Sequence, residues 1–270
     1  MSVDKVFIEL PNGLRVAHFN ENETKFVYQE IFVERIYLKN GIQIKDGDCV
    51  LDVGANIGLF TLFVRELCKK TVVYAFEPIP PIYELLQENT KSPDFEVYTF
   101  PFGLSDRNGM AHFTFYPGYS ILSGSHADAA SDFGLLKTIF SKDLIRQHGI
   151  SAERAAQFAE IALRGKTLSQ SYDSALKTLS TVFREERIQR VDLLKIDVEK
   201  SEMSVLKGIG EGDWKKVRQI VLEVHGNNAS VREISRFLEG KHFNLTPAEG
   251  SGPQESGIHM LYAIQNPLSS

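Results

Sequence analysis

Several things are scarce in this 270-residue chain, and each scarcity removes a class of protein. Two cysteines, Cys49 and Cys68, are too few for a disulfide scaffold or a cysteine-rich zinc site and suit a reducing compartment. Basic residues do not predominate: 30 Lys and Arg against 35 Asp and Glu leave a formal charge of −5. A binder of nucleic acid needs a dense cationic face to displace phosphate counterions, so that class is excluded. No apolar run approaches the ~20 residues of a membrane span. The opening MSVDKVFIEL lacks the basic-then-apolar layout of a secretory signal. Internal repeats are missing too. With 43% hydrophobic and 24% charged residues, the composition is that of a globular chain able to bury a core, expected in the cytoplasm.

Hydrophobic patterning organises that core. Val6–Leu10 and Leu14–Phe19 alternate around Pro11-Asn12-Gly13, a hairpin signal. Residues 24–38 fit a helical period imperfectly. Cys49–Val53 is a short apolar run, as in a strand covered on both faces, and a helical stretch follows to Leu67. Strand patterns recur at Thr71–Phe76, Phe95–Phe100, Val191–Ile196 and Gln219–Val224, with helical ones at Pro81–Thr90, to Leu206 and at Val231–Leu238. A closing pair of strands is expected at His242–Thr246 and His259–Ile264. Between the third strand and Val191, residues 118–180 interrupt the alternation with helical patterns at Ala127–Phe140 and Ala152–Leu163. The order is that of an α/β fold with a mostly parallel sheet and one insertion.

The first strand ends in Gly54-Ala-Asn56-Ile-Gly58 and opens a helix. Gly54 suits a tight turn with close backbone approach, and amides at the helix start favour a polar or anionic group. The spacing Gly-x-x-x-Gly lacks the middle glycine of a dinucleotide site, and Asp52 just before it would repel a diphosphate but pair with an ammonium. Glu77 closes the second strand, at the distance where a carboxylate accepts ribose hydroxyls. Ser105-Asp106, after Gly103-Leu104 at the third strand, places short polar groups where an adenine edge would sit. An adenosine carrying an amino acid fits this order of groups better than NAD, which points to S-adenosylmethionine. The same residues also serve as ordinary turns and caps in many proteins.

Asp52-Val-Gly-Ala-Asn-Ile-Gly58, Phe76-Glu-Pro-Ile-Pro80, Gly103-Leu-Ser-Asp106 and Leu194-Lys-Ile-Asp-Val-Glu-Lys-Ser-Glu202 together resemble the FkbM-type S-adenosylmethionine-dependent methyltransferases, over about Tyr28 to Tyr262. Tyr28-Gln-Glu-Ile-Phe-Val-Glu34 and Ile220-Val-Leu-Glu-Val-His-Gly226 are most similar to the branch from polyketide and nonribosomal peptide assembly lines. Lys200 departs from the glycine many relatives carry there. The resemblance implies a doubly wound, Rossmann-like class I methyltransferase sheet from 49 to 265, an N-terminal extension (1–48) that closes over the cofactor, and a helical lid insertion at about 118–180. It implies cofactor contacts from Tyr28, Glu30, Asp52, Gly54, Asn56, Gly58, Glu77, Pro78, Leu104, Ser105 and Asp197, with S-adenosylhomocysteine as product. Tyr28 and Glu30 read equally as surface residues of an amphipathic helix.

Chemistry is expected at the carboxyl ends of the later strands, which carry Asp197 and Glu199, then Glu223 and His225. Methyl transfer to a hydroxyl needs alignment and a base; His225 is the candidate, since a neutral imidazole accepts a proton near neutral pH. Glu223, two residues away on the same face, or Glu199 would orient it. A structural histidine is the plainer alternative, and no metal is expected, although these four groups suit a divalent ion by ligand type. Tyr119, Ser120, Ser123 and Gly124 at the start of the insertion would line the acceptor pocket, or belong to a cap that never touches substrate. The expected activity is O-methylation of a hydroxyl on a carrier-tethered acyl or peptidyl chain. A free sugar, lipid or metabolite as acceptor, or a non-catalytic cofactor-binding module, are the alternatives. Docking to an acidic carrier protein would use Lys137, Lys142 and Arg146.

Overall fold

The computed structural model describes residues 5–127, 149–163, 169–247 and 257–266, with Gly134, Lys137, Ser141 and Ile145 besides. It opens with the hairpin: β1 (Val6–Glu9) and β2 (Arg15–His18) pair antiparallel, with Val6 opposite His18. Helix α1 (Glu21–Tyr28) follows, its first turn capped by the Asn20 side chain, which accepts from the amides of Asn22 and Glu23. It widens directly into a π-helical turn over Gln29–Val33, and a 3-10 turn over Ile36–Leu38 comes next. The wider turn shifts side chains off the 3.6-residue stripe, which is why residues 24–38 fit a helical period poorly.

The main sheet begins with β3 (Cys49–Val53), α2 (Leu59–Leu67), β4 (Val72–Phe76), α3 (Pro80–Thr90) and β5 (Val97–Phe100). The chain then leaves it for a small sheet of β6 (Gly103–Leu104), β7 (Gly109–Phe115) and β8 (Gln170–Lys177), in the order β6-β8-β7. Helix α4 (Ala152–Leu163) lies between β7 and β8 in sequence, where its pattern predicted it. After α5 (Leu179–Glu185) the chain returns for β9 (Leu193–Ile196), α6 (Glu202–Lys207), β10 (Gln219–His225), α7 (Asn228–Glu239), β11 (Phe243–Pro247) and β12 (Ile258–Gln265). The seven strands lie in the order β11-β12-β10-β9-β3-β4-β5. The five from β10 to β5 are parallel, and β12 runs antiparallel between β10 and β11.

The reading of 118–180 as a helical insertion needs correction at its far end, because 170–177 is a strand. β7 and β8 pair antiparallel with His112 opposite Asp173, and the polar residues on their exposed face hide the apolar alternation of Phe113, Phe115, Tyr172 and Leu176. Most of Ala127–Phe140 and residues 249–256 lie outside the described residues. Two apolar layers sandwich the main sheet. One joins α2 and α3 to the N-terminal segment through Phe60, Phe63, Leu86, Ile31 and Tyr37; the other holds Phe183, Leu206, Trp214 and Leu238. Trp214 is buried edge-on to Phe237 and Phe243, an anchor for α7 and β11. Strand order reverses between β3 and β9, which opens a crevice at their carboxyl ends.

Candidate active site

That crevice is a cleft of about 1540 Å³, lined among others by Gly54, Glu77, Leu104, Asp197, Glu223 and His225. Its floor is the turn after β3. Gly54 has φ +75°, and a Cβ there would sit 1.7 Å from the backbone oxygen of Asp197, so the turn and the end of β9 touch through bare backbone. Gly58, at φ +92°, heads α2. Asn56 also lies in the left-handed region, and its side-chain oxygen accepts from the amide of Ile57 at 2.7 Å.

At the next strand end, Glu77 is buried and accepts from the amides of Asn56 (3.1 Å) and Ile79 (2.9 Å). Burial nevertheless outweighs these bonds and pushes its carboxyl up to about 7. Pro78, Leu104 and Ser105 line the same end of the cleft. The Ser105 hydroxyl reaches Asp106 at 3.3 Å.

Asp52 takes a different place from the one its sequence position suggested. Its side chain is fully buried beneath the turn, where the Thr61 hydroxyl donates to it at 2.7 Å and the Lys195 ammonium pairs with it at 3.1 Å. It lies outside the cleft lining, whose acids include Asp197 and Glu30. Tyr28 is buried as well, stacked on Phe32 at 4.8 Å between ring centroids, whereas Glu30 does line the cleft.

Just beyond β9 and at the end of β10 the expected acids and histidine come together. Glu199 and Lys200 both adopt left-handed backbone, at φ 45° and 71°, which curls the chain after Asp197 back toward β10. A glycine at position 200 would hold that turn without strain. His225 Nδ1 lies 3.0 Å from the buried carboxylate of Glu202, and Nε2 lies 3.3 Å from both Glu199 and Glu223. Burial disfavours a charged imidazole, yet the three carboxylates outweigh it and raise the proton affinity of His225 well above its ordinary value. Burial pushes Glu199 up to about 8, whereas hydrogen bonding and the charge of His225 outweigh burial at Glu223 and lower it. The surrounding acids thus favour the protonated ring, where the sequence suggested a neutral base. Asp197, Glu223 and His225 also offer ligand atoms within 4.8 Å of one another, a spacing compatible with a divalent ion.

Tyr119, Ser120, Ser123 and Gly124 line the cleft on the side of the N-terminal segment. Ser120 Oγ lies 3.0 Å from Glu23 Oε1 and 3.1 Å from Asn56 Oδ1, and Glu23 also accepts from the amide of Ile121 at 2.7 Å. Ser123 Oγ accepts from the amide of Tyr116, and Gly124 pairs with Thr114 through backbone. Four contributors to the site, Glu23, Tyr37, Lys195 and Glu202, were not singled out from the sequence. Lys195 alone had a visible signal there, a charge inside an otherwise apolar strand.

Burial pushes Glu23 from 4.5 up to about 7. Between those values the folded state binds more protons than the unfolded one, so this group's contribution to stability falls as pH rises through that window. E23Q keeps the oxygen acceptor without the charge. Its melting temperature is expected to exceed that of the parent by about 2–6 °C at pH 8, with the gain vanishing near pH 5 in thermal melts.

The open doubly wound sheet, its antiparallel β12 and the cleft at the switch point define the Rossmann-like fold of class I methyltransferases. The solved structure of methyltransferase FkbM from Methylobacillus flagellatus shares the fold, with a TM-score of 0.50 and 10% identity over 83% of this chain and 45% of that one. The chain belongs to the FkbM methyltransferase family, whose domain model matches residues 52–245. It is 35% identical to 31-O-demethyl-FK506 methyltransferase FkbM of Streptomyces tacrolimicus over 95% of both chains. It is 41% identical to the AMB antimetabolite synthetase AmbE of Pseudomonas aeruginosa over 81% of this chain, which spans 10% of that much longer protein. Methyltransferase sdnD of Sordaria araneosa is 31% identical, over 88% of this chain and 90% of its own. Among the described residues, no helix is long and apolar enough to cross a membrane.

Proposed function

We propose that this methyltransferase transfers a methyl group from S-adenosylmethionine to a hydroxyl of a polyketide or peptide intermediate held on an acyl or peptidyl carrier protein. The observation that carries the reading is one cleft uniting three strand ends: a turn that admits no side chain, a buried acid held by two backbone amides, and an imidazole among acids. The donor set suits a cationic adenosine. Glu77 is a buried carboxyl with raised proton affinity, a group to which a ribose diol offers two further hydrogen bonds. Leu104 and Pro78 offer an apolar slot beside Ser105, and Asp197 and Glu30 offer negative charge. When bound, the cofactor supplies a methyl group already activated on a sulfonium. The N-terminal segment and the cleft-lining residues Tyr119, Ser120, Ser123 and Gly124 would close over cofactor and acceptor.

What remains for the chain is alignment and the removal of one proton. In this reading His225 Nε2 accepts the hydroxyl proton, while Glu202 fixes the ring through Nδ1 and Glu223 stabilises the imidazolium. The carboxylates that make it a stronger base also keep it protonated at rest, so the working form has first lost that proton. Activity is therefore expected to rise with pH along a limb lying well above 6.5, measured as kcat/KM against pH. A limb at or below 6.5 would exclude His225 as the base.

The relative named for 31-O-demethyl-FK506 favours oxygen as the acceptor, and AmbE, a synthetase, favours an assembly-line setting. A second reading has support of its own: the Streptomyces relative matches this chain over nearly all its length, with no carrier domain in that match. A free acceptor would then serve. Lys137, a docking candidate, is already paired with Glu160 at 2.8 Å, and Lys142 and Arg146 lie outside the described residues. The deciding experiment is mass spectrometry for a CH₂ gain on hydroxyacyl chains presented free and carrier-bound, alongside calorimetric titration with S-adenosylmethionine and NAD. Methylation of the free compounds alone rejects the tethered reading, and failure to bind S-adenosylmethionine rejects both.

A further inference from the structure

Two side chains that sequence reasoning passed over grip Asp197, and neither has a role in the chemistry described above. The Tyr37 hydroxyl donates to Asp197 Oδ2 at 2.9 Å and lies 3.4 Å from Glu223 Oε2. The Lys195 ammonium lies 3.6 Å from the same Oδ2. Both grips are rigid. Tyr37 is buried with its ring edge-on to Phe60 at 5.2 Å, and Tyr262, from β12, donates its hydroxyl to the carbonyl of Ile36 at 2.6 Å. Lys195 is buried as well, donating to the Gly54 carbonyl at 2.8 Å and pairing with Asp52 at 3.1 Å.

The surroundings explain why such a grip is needed. Asp197 shares its corner with Glu223, Glu199 and His225, and Tyr37 feels Glu30 from the π-helical turn. Glu223 has His225 as its partner. Burial and Glu223 raise the proton affinity of Asp197, and Tyr37 and Lys195 oppose that rise while fixing its Oδ2 at the cleft.

We infer that Tyr37 and Lys195 are positioning residues that act through Asp197, holding its carboxylate for the cationic methionine end of the cofactor. The N-terminal segment then contributes to cofactor affinity through the phenol it delivers, beyond covering the cleft. This rests on the S-adenosylmethionine reading of the cleft, and calorimetry separates the two. Y37F removes one hydroxyl and keeps the ring against Phe60. K195M/D52N removes the buried ion pair from both sides, so that no lone carboxylate is left in the core. Cofactor Kd is expected to rise about tenfold in Y37F, as for loss of a hydrogen bond to a charged group, and at least as much in K195M/D52N. KM for the cofactor should rise with Kd while kcat falls by a smaller factor; a merely structural role would lower the melting temperature and leave Kd of the folded protein unchanged. If folded Y37F binds within about twofold of the parent, the positioning role is overturned whether or not the double variant folds. If the parent itself binds no S-adenosylmethionine, the reading of the cleft fails, and this inference with it.

Discussion

Replacing His225 with alanine is expected to lower kcat about 10²–10⁴-fold, the usual worth of a positioned general base, while calorimetric affinity for S-adenosylmethionine changes little. The ring touches Glu199, Glu202 and Glu223, and none of the groups assigned to the ribose or adenine ends of the cleft. Removing the imidazolium also leaves three buried or half-buried acids without their shared cation, and some loss of stability follows. H225Q keeps a hydrogen-bonding side chain in that space and separates the two effects. It should be as inactive as H225A while melting closer to the parent. Full turnover by folded H225Q would mean that the proton leaves by another route, with Glu223 the next group to test.

Replacing Gly54 with alanine should be the most damaging single methyl group that can be added to the cleft. The new Cβ would lie 1.7 Å from the Asp197 backbone oxygen, a contact no rotamer can relieve, at a φ of +75° that itself disfavours any side chain. The turn and the end of β9 must part, carrying the cofactor floor away from Asp197. Affinity for S-adenosylmethionine is expected to fall about a hundredfold or more, by calorimetry on whatever fraction folds. G58A provides the contrast. Its Cβ would meet a movable side-chain carbon of Leu86 at 2.9 Å, so it should lose helix stability first and affinity less. A G54A protein that binds like its parent would remove the close backbone approach from the account of this site.

The contrast between these two glycines also shows what the sequence could tell. Gly54 and Gly58 were legible because they punctuate a strand-to-helix switch, and the strands from Cys49 to Phe76 follow from apolar runs too short for helices. The acids and histidine after β9 and β10 were legible for a similar reason, since parallel strands must end on one edge. Asp52 was misplaced because sequence position cannot say on which side of a strand end a carboxylate is consumed. Lys195, from the neighbouring strand, takes it up inside the core. Tyr37 and Glu23 were invisible because their partners are distant in sequence: Tyr37 meets Asp197 across 160 residues, and Glu23 meets Ser120 across 97. β7 and β8 went unread because a small, half-solvated sheet leaves only a weak alternation. His225 was found by residue type, but its charge state depends on three acids, of which Glu202 lies 23 positions away.

Asp52 and Lys195 face each other across β3 and β9, residue opposite residue in the parallel ladder. A slip of one position would set Asp52 against Leu194 or Ile196 and turn the lysine to the other face of the sheet. Several kcal/mol of unpaired buried charge would then penalise the slipped sheet, whose apolar packing alone distinguishes neighbouring registers less sharply. Among these alignments, only the one that brings Gly54 against Asp197 also pairs Asp52 with Lys195.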